Sequence, residues 1–445
     1  MKKKGQKKII TRFAPSPTGV LHIGSARTAL FNFLFAKKYD GKMLLRIEDT
    51  DKARSKKEYE NDIFEGLSWL GISWAEPIYR QSERTAAYAS YLKEMVENGL
   101  AYISREKTKG VGEKSEVIRF KNPNKKIIFN DIIHGDIIFD TTELGDFIIA
   151  KDFETPLYHL AVVVDDFEMG ITHIIRGDDG ISNTPRQILI QEAIGAERPI
   201  YVHIPLILAP DKSKLSKRHG AISLKEFNDR GYLPEAMINF LSMLGWSPQS
   251  AKLEKEILSF DEIVKNFSIE AMQKSGAIFN EEKLKWFNRE YMKSLPLEKI
   301  IEELSRRLPY KNINMIERIT PIIIDRVSVF DDVIKMDQDG EIRYFFEKPK
   351  YDISNIHWKN TPPEKTREYL DNIISMLFKI KQFNVSEIKS ALWEYAEKEG
   401  RGNVLWPMRY GLSGREKSPD PFILAEILGK DETIKRLSEI RKILS

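Results

Sequence analysis

Cysteine is absent from all 445 residues, which excludes disulfides and thiolate metal sites and accords with a reducing compartment. No run of about 18 apolar residues occurs, so no transmembrane helix is expected. Charge of one sign is lacking too: 70 Lys+Arg stand against 66 Asp+Glu, a net charge of +4. That balance neither announces nor forbids a nucleic-acid partner, because a large RNA can sit on a local basic face. Lys2, Lys3, Lys4, Lys7 and Lys8 crowd the start, but no apolar segment follows them. A solvated tail is therefore expected rather than a secretory signal. What is present is an ordinary globular composition, 42% hydrophobic and 31% charged, at a length that suits roughly two to four domains.

Apolar spacing outlines an alternation of strands and helices. Residues 9–13 read as a buried strand leading into a Pro/Gly-rich loop. Ala26, Ala29, Leu30, Phe33 and Leu34 then fall on one helical face, and Asp40-Gly41 turns the chain into a strand over 42–47. This is a βαβ unit, followed by a helix over 57–70. Residues 81–154 change character: a helix near 85–98, a Lys/Gly-rich segment over 105–116, then alternating segments around 127–129 and 136–139, together an α+β insertion. Strands are expected over 158–164 and 172–175, then a helix capped by Thr184 with Pro185 first, then a strand over 200–208. Ser223 and Glu226 have capping-box spacing. Beyond 226 the periodicity is almost wholly helical, notably over 233–245, 281–292, 298–308, 364–380, 385–399 and 421–429.

Two stretches carry chemistry. In residues 14–25, Ala-Pro-Ser-Pro-Thr-Gly-Val-Leu-His-Ile-Gly-Ser, two prolines stiffen a loop, Gly19 lets backbone approach a ligand, and Gly24 opens a helix whose N-terminus favours anions. His22 lies just ahead of that helix, placed to donate to a phosphate oxygen; a lone histidine there ordinarily caps or packs. The second stretch, Lys214-Leu215-Ser216-Lys217-Arg218, follows the last strand of the α/β pattern. A charge run is usually a solvated face. At the edge of such a sheet, however, its cations suit a polyphosphate, whose transfer chemistry needs positioned charge and Mg²⁺ more than covalent help.

Both stretches, with Arg46-Ile47-Glu48-Asp49-Thr50-Asp51, residues 158–166, residues 170–177 and residues 283–291, resemble the bacterial glutamyl-tRNA synthetases, a branch of the class I aminoacyl-tRNA synthetases. The resemblance runs along nearly the full length. It implies an α/β Rossmann-type catalytic domain in two halves, 1–84 and 155–225, around an acceptor-stem-binding domain, 85–154. A helical stem-contact domain, 226–308, and a helical anticodon-binding domain, 309–445, complete it. ATP would be held by His22, Gly24, Lys214, Ser216, Lys217 and Arg218, with His22, Lys214 and Lys217 serving catalysis and Mg²⁺ assisting. Glutamate would be held by Arg12, Ala14, Ser16, Glu48, Tyr158 and Arg176. The chemistry agrees, since two guanidiniums suit two carboxylates and one carboxylate suits the ammonium. Arg12 is read onto the side-chain carboxylate and Arg176 onto the α-carboxylate, an exchangeable assignment. Internal ion pairing is the rival reading, above all for Glu48 beside Arg46.

Residues 405–414 resemble the family's anticodon-domain turn, and Arg326, Trp406 and Arg409 are the implied anticodon readers. Trp393 reads instead as core. The resemblance also implies tRNA, glutamate and ATP as partners, a cytoplasmic monomer and no membrane. Three departures stand out: Ser25 replaces a signature histidine, Gly180 replaces the histidine of Arg-Gly-Glu-Asp-His, and residues 103–116 are short and lack the cysteine-rich zinc knuckle. No structural zinc is expected. The helical second half disfavours a glutaminyl-tRNA synthetase, whose C-terminal half is β-barrel. Length disfavours the short relative that modifies a tRNA base, and the intact lysine loop disfavours a non-catalytic RNA-binding paralogue. Whether tRNA(Glu), tRNA(Gln) or both are charged stays open.

Overall fold

The computed structural model describes residues 8–107, 114–213, 215, 223–247 and 254–444. They form two units, Met1–Tyr291 and Met292–Ser445.

The first unit begins as the alternation predicts: β1 (Ile10–Phe13), α1 (Ile23–Lys38), β2 (Lys42–Ile47), α2 (Lys57–Trp69) and β3 (Ala75–Arg80), whose strands form a parallel sheet in the order β1-β2-β3. α1 was expected to bury one face. It is instead buried almost all round, from Ala26 through Ala36, because β1 and β2 cover one side and later helices the other. Next come α3 (Thr85–Glu97), β4 (Ala101–Lys107), β5 (Lys114–Phe120), β6 (Lys126–Asp131), β7 (Gly135–Asp140), β8 (Phe147–Asp152) and β9 (Thr155–Pro156). The Lys/Gly-rich segment is largely strand at its two ends, since β4 pairs antiparallel with β5 up to Lys107 and Lys114.

α4 (Tyr158–Glu168) corrects the strand expected over 158–164. A short apolar run with three consecutive valines fits a buried strand or a buried helix equally well, and periodicity cannot separate them. Packing between α3 and the following helix decides for the helix. The change matters, because consecutive helical residues point about 100° apart, which sends Asp165 and Asp166 to different partners.

β10 (His173–Gly177), α5 (Thr184–Ala193), β11 (Ile200–Ile204) and β12 (Ile207–Leu208) follow, so the single strand expected over 200–208 is split. The α5 N-cap is Asn183 rather than Thr184, whose hydroxyl turns inward. β10, β11, β6 and β7 form one sheet in that order, with β6 parallel to β11 and antiparallel to β7. The Thr172 N–H donates to the Ile10 carbonyl and so ties this sheet to β1. α6 (Leu224–Asp229), α7 (Pro234–Ser242), α8 (Phe260–Asn266), β13 (Ala277–Ile278) and α9 (Glu281–Lys293) close the unit. Ser223 caps α6 through the Glu226 N–H, as the spacing predicts.

The second unit is helical: α10 (Leu297–Arg307), α11 (Ile313–Ile324), α12 (Asp332–Gln338), α13 (Pro363–Lys379), α14 (Val385–Glu399), α15 (Arg401–Ser413), α16 (Pro421–Leu428) and α17 (Lys430–Ile443). The turn expected over 405–414 is the body of α15, with Pro407 inside it and left-handed Gly414 ending it. A proline normally breaks a helix. Here α13, α14, α16 and α17 pack around α15 and hold it together. Gly402 abuts the Trp358 indole so closely that a Cβ would run into the ring. In an exposed helix Gly→Ala stabilises by about 1 kcal/mol; here Gly402→Ala is expected to destabilise by ~1–3 kcal/mol. A thermal melt checks this, and an unchanged or raised midpoint would refute it.

Candidate active site

β1 delivers Arg12 and Phe13 to the mouth of a loop that β2 braces: the Glu48 N–H donates to the Pro15 carbonyl at 2.9 Å and the Lys56 N–H to the Pro17 carbonyl at 3.0 Å. The Leu21 N–H donates to Asp62 Oδ2 at 2.6 Å. His22 is the N-cap of α1, its Nδ1 accepting from the Ser25 N–H at 3.2 Å, while Ser25 Oγ lies 3.1 Å from Nε2. Ser25, which stands where the signature has histidine, thus fixes the His22 ring. Gly24 is needed here because a Cβ would press on that ring at 3.0 Å. His22 also bridges to Ser223, and Leu224 donates to the Leu21 carbonyl, so the chain just past the lysine segment is anchored on the first motif.

A cavity of about 390 Å³ opens above these elements. Arg12, Ala14, Ser16, Glu48, Tyr158 and Arg176, all six residues expected to hold the amino acid, line it together with His22 and Gly24. Asp179, Leu206, Ile207 and Leu215 are also among its lining residues. Lys214, Ser216, Lys217 and Arg218 lie outside the described residues.

The internal ion pairs anticipated as the rival reading are present, and they form a network. Arg46, fully buried, reaches Asp166 Oδ1 at 2.7 Å, Glu48 Oε1 at 3.0 Å and Asp165 Oδ2 at 3.6 Å. Arg12 Nε donates to the same Asp166 oxygen at 3.1 Å. Asp165, at the edge of this network, takes its hydrogen bonds elsewhere, from Gln81, Arg84 and Tyr88. Burial works against the Asp166 carboxylate, but Arg12 and Arg46 outweigh it and hold it below the usual range. For Glu48 burial wins over Arg46 and lifts the carboxyl above that range. A buried carboxylate of this kind gains from a second cation. Arg46 enters the sequence reading only as the rival ion partner of Glu48, two positions away across the end of β2, and Asp165 and Asp166 only within a motif, with no partner assigned.

Arg176 is held differently. Its Nη2 donates to the Gly180 carbonyl at 3.0 Å and to Thr184 Oγ1 at 2.7 Å, and its Nε to His203 Nε2 at 3.1 Å. Nη1 is buried with no hydrogen-bond partner among the described residues. Burial lowers the guanidinium's pKa, the direction expected of a cation awaiting an anion. The structure also explains Gly180: any Cβ there would sit 2.5 Å from Arg176 Nε. A histidine at this position needs a differently placed guanidinium.

In the second unit Trp406 and Arg409 come together, the guanidinium lying 4.8 Å from the indole centroid. Trp406 Nε1 donates to the Asn355 carbonyl at 2.9 Å, and Arg409 to the Glu416 carbonyl at 2.9 Å. Arg326 is paired with Glu341. Trp393, expected in the core, is half-buried between Lys389 and Arg401, at 4.8 and 4.5 Å.

A family model described as tRNA synthetases class I (E and Q), catalytic domain, matches residues 8–111 and 103–286, and one described as anticodon binding domain matches 289–441. Glutamate–tRNA ligase 1 of Syntrophomonas wolfei is 38% identical, over 97% of this chain and 96% of its own. The glutamate–tRNA ligase of Aquifex aeolicus is 39% identical, over 98% of this chain and 100% of its own. The crystal structure of a glutamate tRNA ligase from Elizabethkingia meningosepticum in complex with its amino acid superposes with a TM-score of 0.88 at 32% identity, covering 99% of this chain and 100% of that one.

Proposed function

Because this chain belongs to the class I tRNA synthetase family for glutamate and glutamine, it is an ATP-dependent glutamate–tRNA ligase, and we propose that the 390 Å³ cavity is its glutamate and ATP site. The observation that carries the assignment is that Arg12, Glu48 and Arg176 line one cavity, while Arg176 Nη1 is buried with no hydrogen-bond partner among the described residues. Two guanidiniums answer two carboxylates, and Glu48 answers the ammonium. Arg46 keeps Glu48 and Asp166 in place, and Asp166 in turn orients Arg12.

His22 and the start of α1 then face the phosphates of ATP, with Lys214, Lys217 and Arg218 as the proposed cations and Ser216 as a hydroxyl among them. An oxygen of the glutamate α-carboxylate attacks the α-phosphorus, the bond to pyrophosphate breaks, and glutamyl-adenylate forms. A ribose hydroxyl of the tRNA 3′ end next attacks the activated carbonyl and releases AMP. An adjoining cavity of about 720 Å³ shares Ser16, Glu48 and Tyr158 with the first and is lined by Lys52, Lys151, Glu154 and the Arg54–Asp51 pair; its place beside the first supports entry of the 3′ end there. Among the described lining residues of the first cavity only Glu48 and Asp179 are carboxylates, and Glu48 is tied to Arg46. This suits a Mg²⁺ ion carried in on the phosphates, whose charge it neutralises.

Residues 85–154 are assigned to the acceptor stem and 226–308 to stem contact, with Arg326, Trp406 and Arg409 in the 309–445 domain reading the anticodon. Without cysteine, the acceptor domain is read as zinc-free. No helix among the described residues is long and apolar enough to cross a membrane, and a cytoplasmic monomer is the proposed form. Aminoacylation with labelled glutamate on separate tRNA(Glu) and tRNA(Gln) transcripts tests the reading. Charging of tRNA(Glu) is expected. Charging of tRNA(Gln) as well would mark a product that needs a later amidation, and charging of neither would refute the ligase.

A further inference from the structure

Behind Arg176, on the side away from the cavity, lies a fully buried imidazole that the reaction does not touch. His203 Nδ1 is 2.8 Å from Asp131 Oδ2, and the His203 backbone N–H donates to the same oxygen at 2.9 Å. The other oxygen of Asp131 accepts the N–H groups of Ile133 and His134, both at 3.0 Å. A carboxylate so surrounded by donors is an ionised acceptor, and Nδ1 must carry the proton that meets it. The opposite nitrogen faces Arg176 Nε at 3.1 Å and Thr184 Oγ1 at 3.2 Å. Arginine has only donors to offer, so Nε2 must present its lone pair. Both neighbours therefore select one neutral tautomer.

We propose that His203, held in its Nδ1–H form by Asp131, is a positioning residue that fixes Arg176 so that Nη1 points at the substrate carboxylate. The proposal rests on Arg176 being a glutamate ligand, as argued above. The chain of contacts begins on β6 and ends in the cavity, spanning β11 and β10 between them. Around the imidazole the titratable and charged groups are Asp131 on β6, Arg176 on β10, Asp178 in the turn after β10, and Tyr201 on β11, whose ring stacks at 6.2 Å. Burial and the Arg176 charge lower the His203 pKa against the pull of Asp131 and Asp178. A second proton would set an N–H against the Arg176 N–H and push the guanidinium off its mark. Proton uptake and glutamate binding thus compete, so the KM for glutamate rises as pH falls.

The test compares His203→Leu and His203→Gln in the full chain with tRNA present, reading KM for glutamate and for ATP separately. His203→Leu is expected to raise the glutamate KM about tenfold or more while the ATP KM stays within about twofold. His203→Gln, whose amide oxygen can still accept from Arg176, recovers most of that loss. Followed from about pH 8 to 5.5, the glutamate KM climbs less at the acid end in His203→Gln than in the unmodified protein, since protonation of Glu48 is common to both. A glutamate KM unchanged in the leucine variant overturns the proposal and, if that variant fails to fold, so does an acid-side rise as steep in His203→Gln as in the unmodified protein. An unmodified protein with no use for glutamate would instead remove the site assignment, without any variant.

Discussion

Replacing Arg46 by methionine is expected to lower the thermal midpoint by on the order of 10 °C and to raise the KM for glutamate at the same time. The side chain is fully buried and serves three carboxylates, Glu48, Asp165 and Asp166. Methionine fills most of the volume, so the effect is electrostatic rather than a cavity. Removing one partner from a buried charge network typically costs ~3–5 kcal/mol, because the other charges stay behind. Arg12 and Arg84 still reach Asp166 and Asp165, but Glu48 loses its hydrogen-bonded cation. Its carboxyl pKa, already lifted by burial, then rises further, and a protonated Glu48 no longer attracts an ammonium. The sign of the pH effect follows. A carboxyl with a folded-state pKa above its unfolded one is a deficit at higher pH that shrinks as pH falls through the folded value. Melts of both proteins across mildly acidic to neutral pH should show the gap narrowing on the acid side. A variant as stable as the parent at neutral pH would dismantle the network described here.

Arg176→Lys should cost about 10²-fold in kcat/KM for glutamate, with ATP binding little changed. Charge is conserved, and geometry is what is lost. The guanidinium uses Nε on His203 and Nη2 on Gly180 and Thr184, which leaves Nη1 without a hydrogen-bond partner among the described residues. An ammonium has no planar fork and cannot satisfy that set while reaching a carboxylate. A loss smaller than about threefold in steady-state kinetics would show that Arg12 alone carries recognition. Gly180 belongs to the same arrangement, since its missing Cβ is the space that the guanidinium occupies.

Local elements were legible where punctuation and period agreed. β2 and α14 fall on their expected residues because Asp40-Gly41 and Asn384 mark their starts and each segment has one period. α4 departs from expectation because Leu160–Val164 suits two secondary structures, and α15 because Pro407 argues against the helix that its neighbours impose. The lining of the cavity was legible only through the family resemblance, which implies Arg12, Glu48, Tyr158 and Arg176; their types suit glutamate, but no spacing along the chain brings them together. Nothing along the chain announced Asp131 and His203, which lie 72 positions apart.

By itself the sequence determined which side chains carry charge, which segments turn, and where a rigid Pro/Gly loop meets a helix. Only the tertiary structure decided which charge answers which. Arg12, Arg46 and Asp166 meet because β1 and β2 lie side by side and the phase of α4 aims one aspartate at both arginines while the next residue back faces Arg84. A buried ion's partner is chosen within a few ångströms, and strand order and helix phase set that distance, whatever the spacing along the chain.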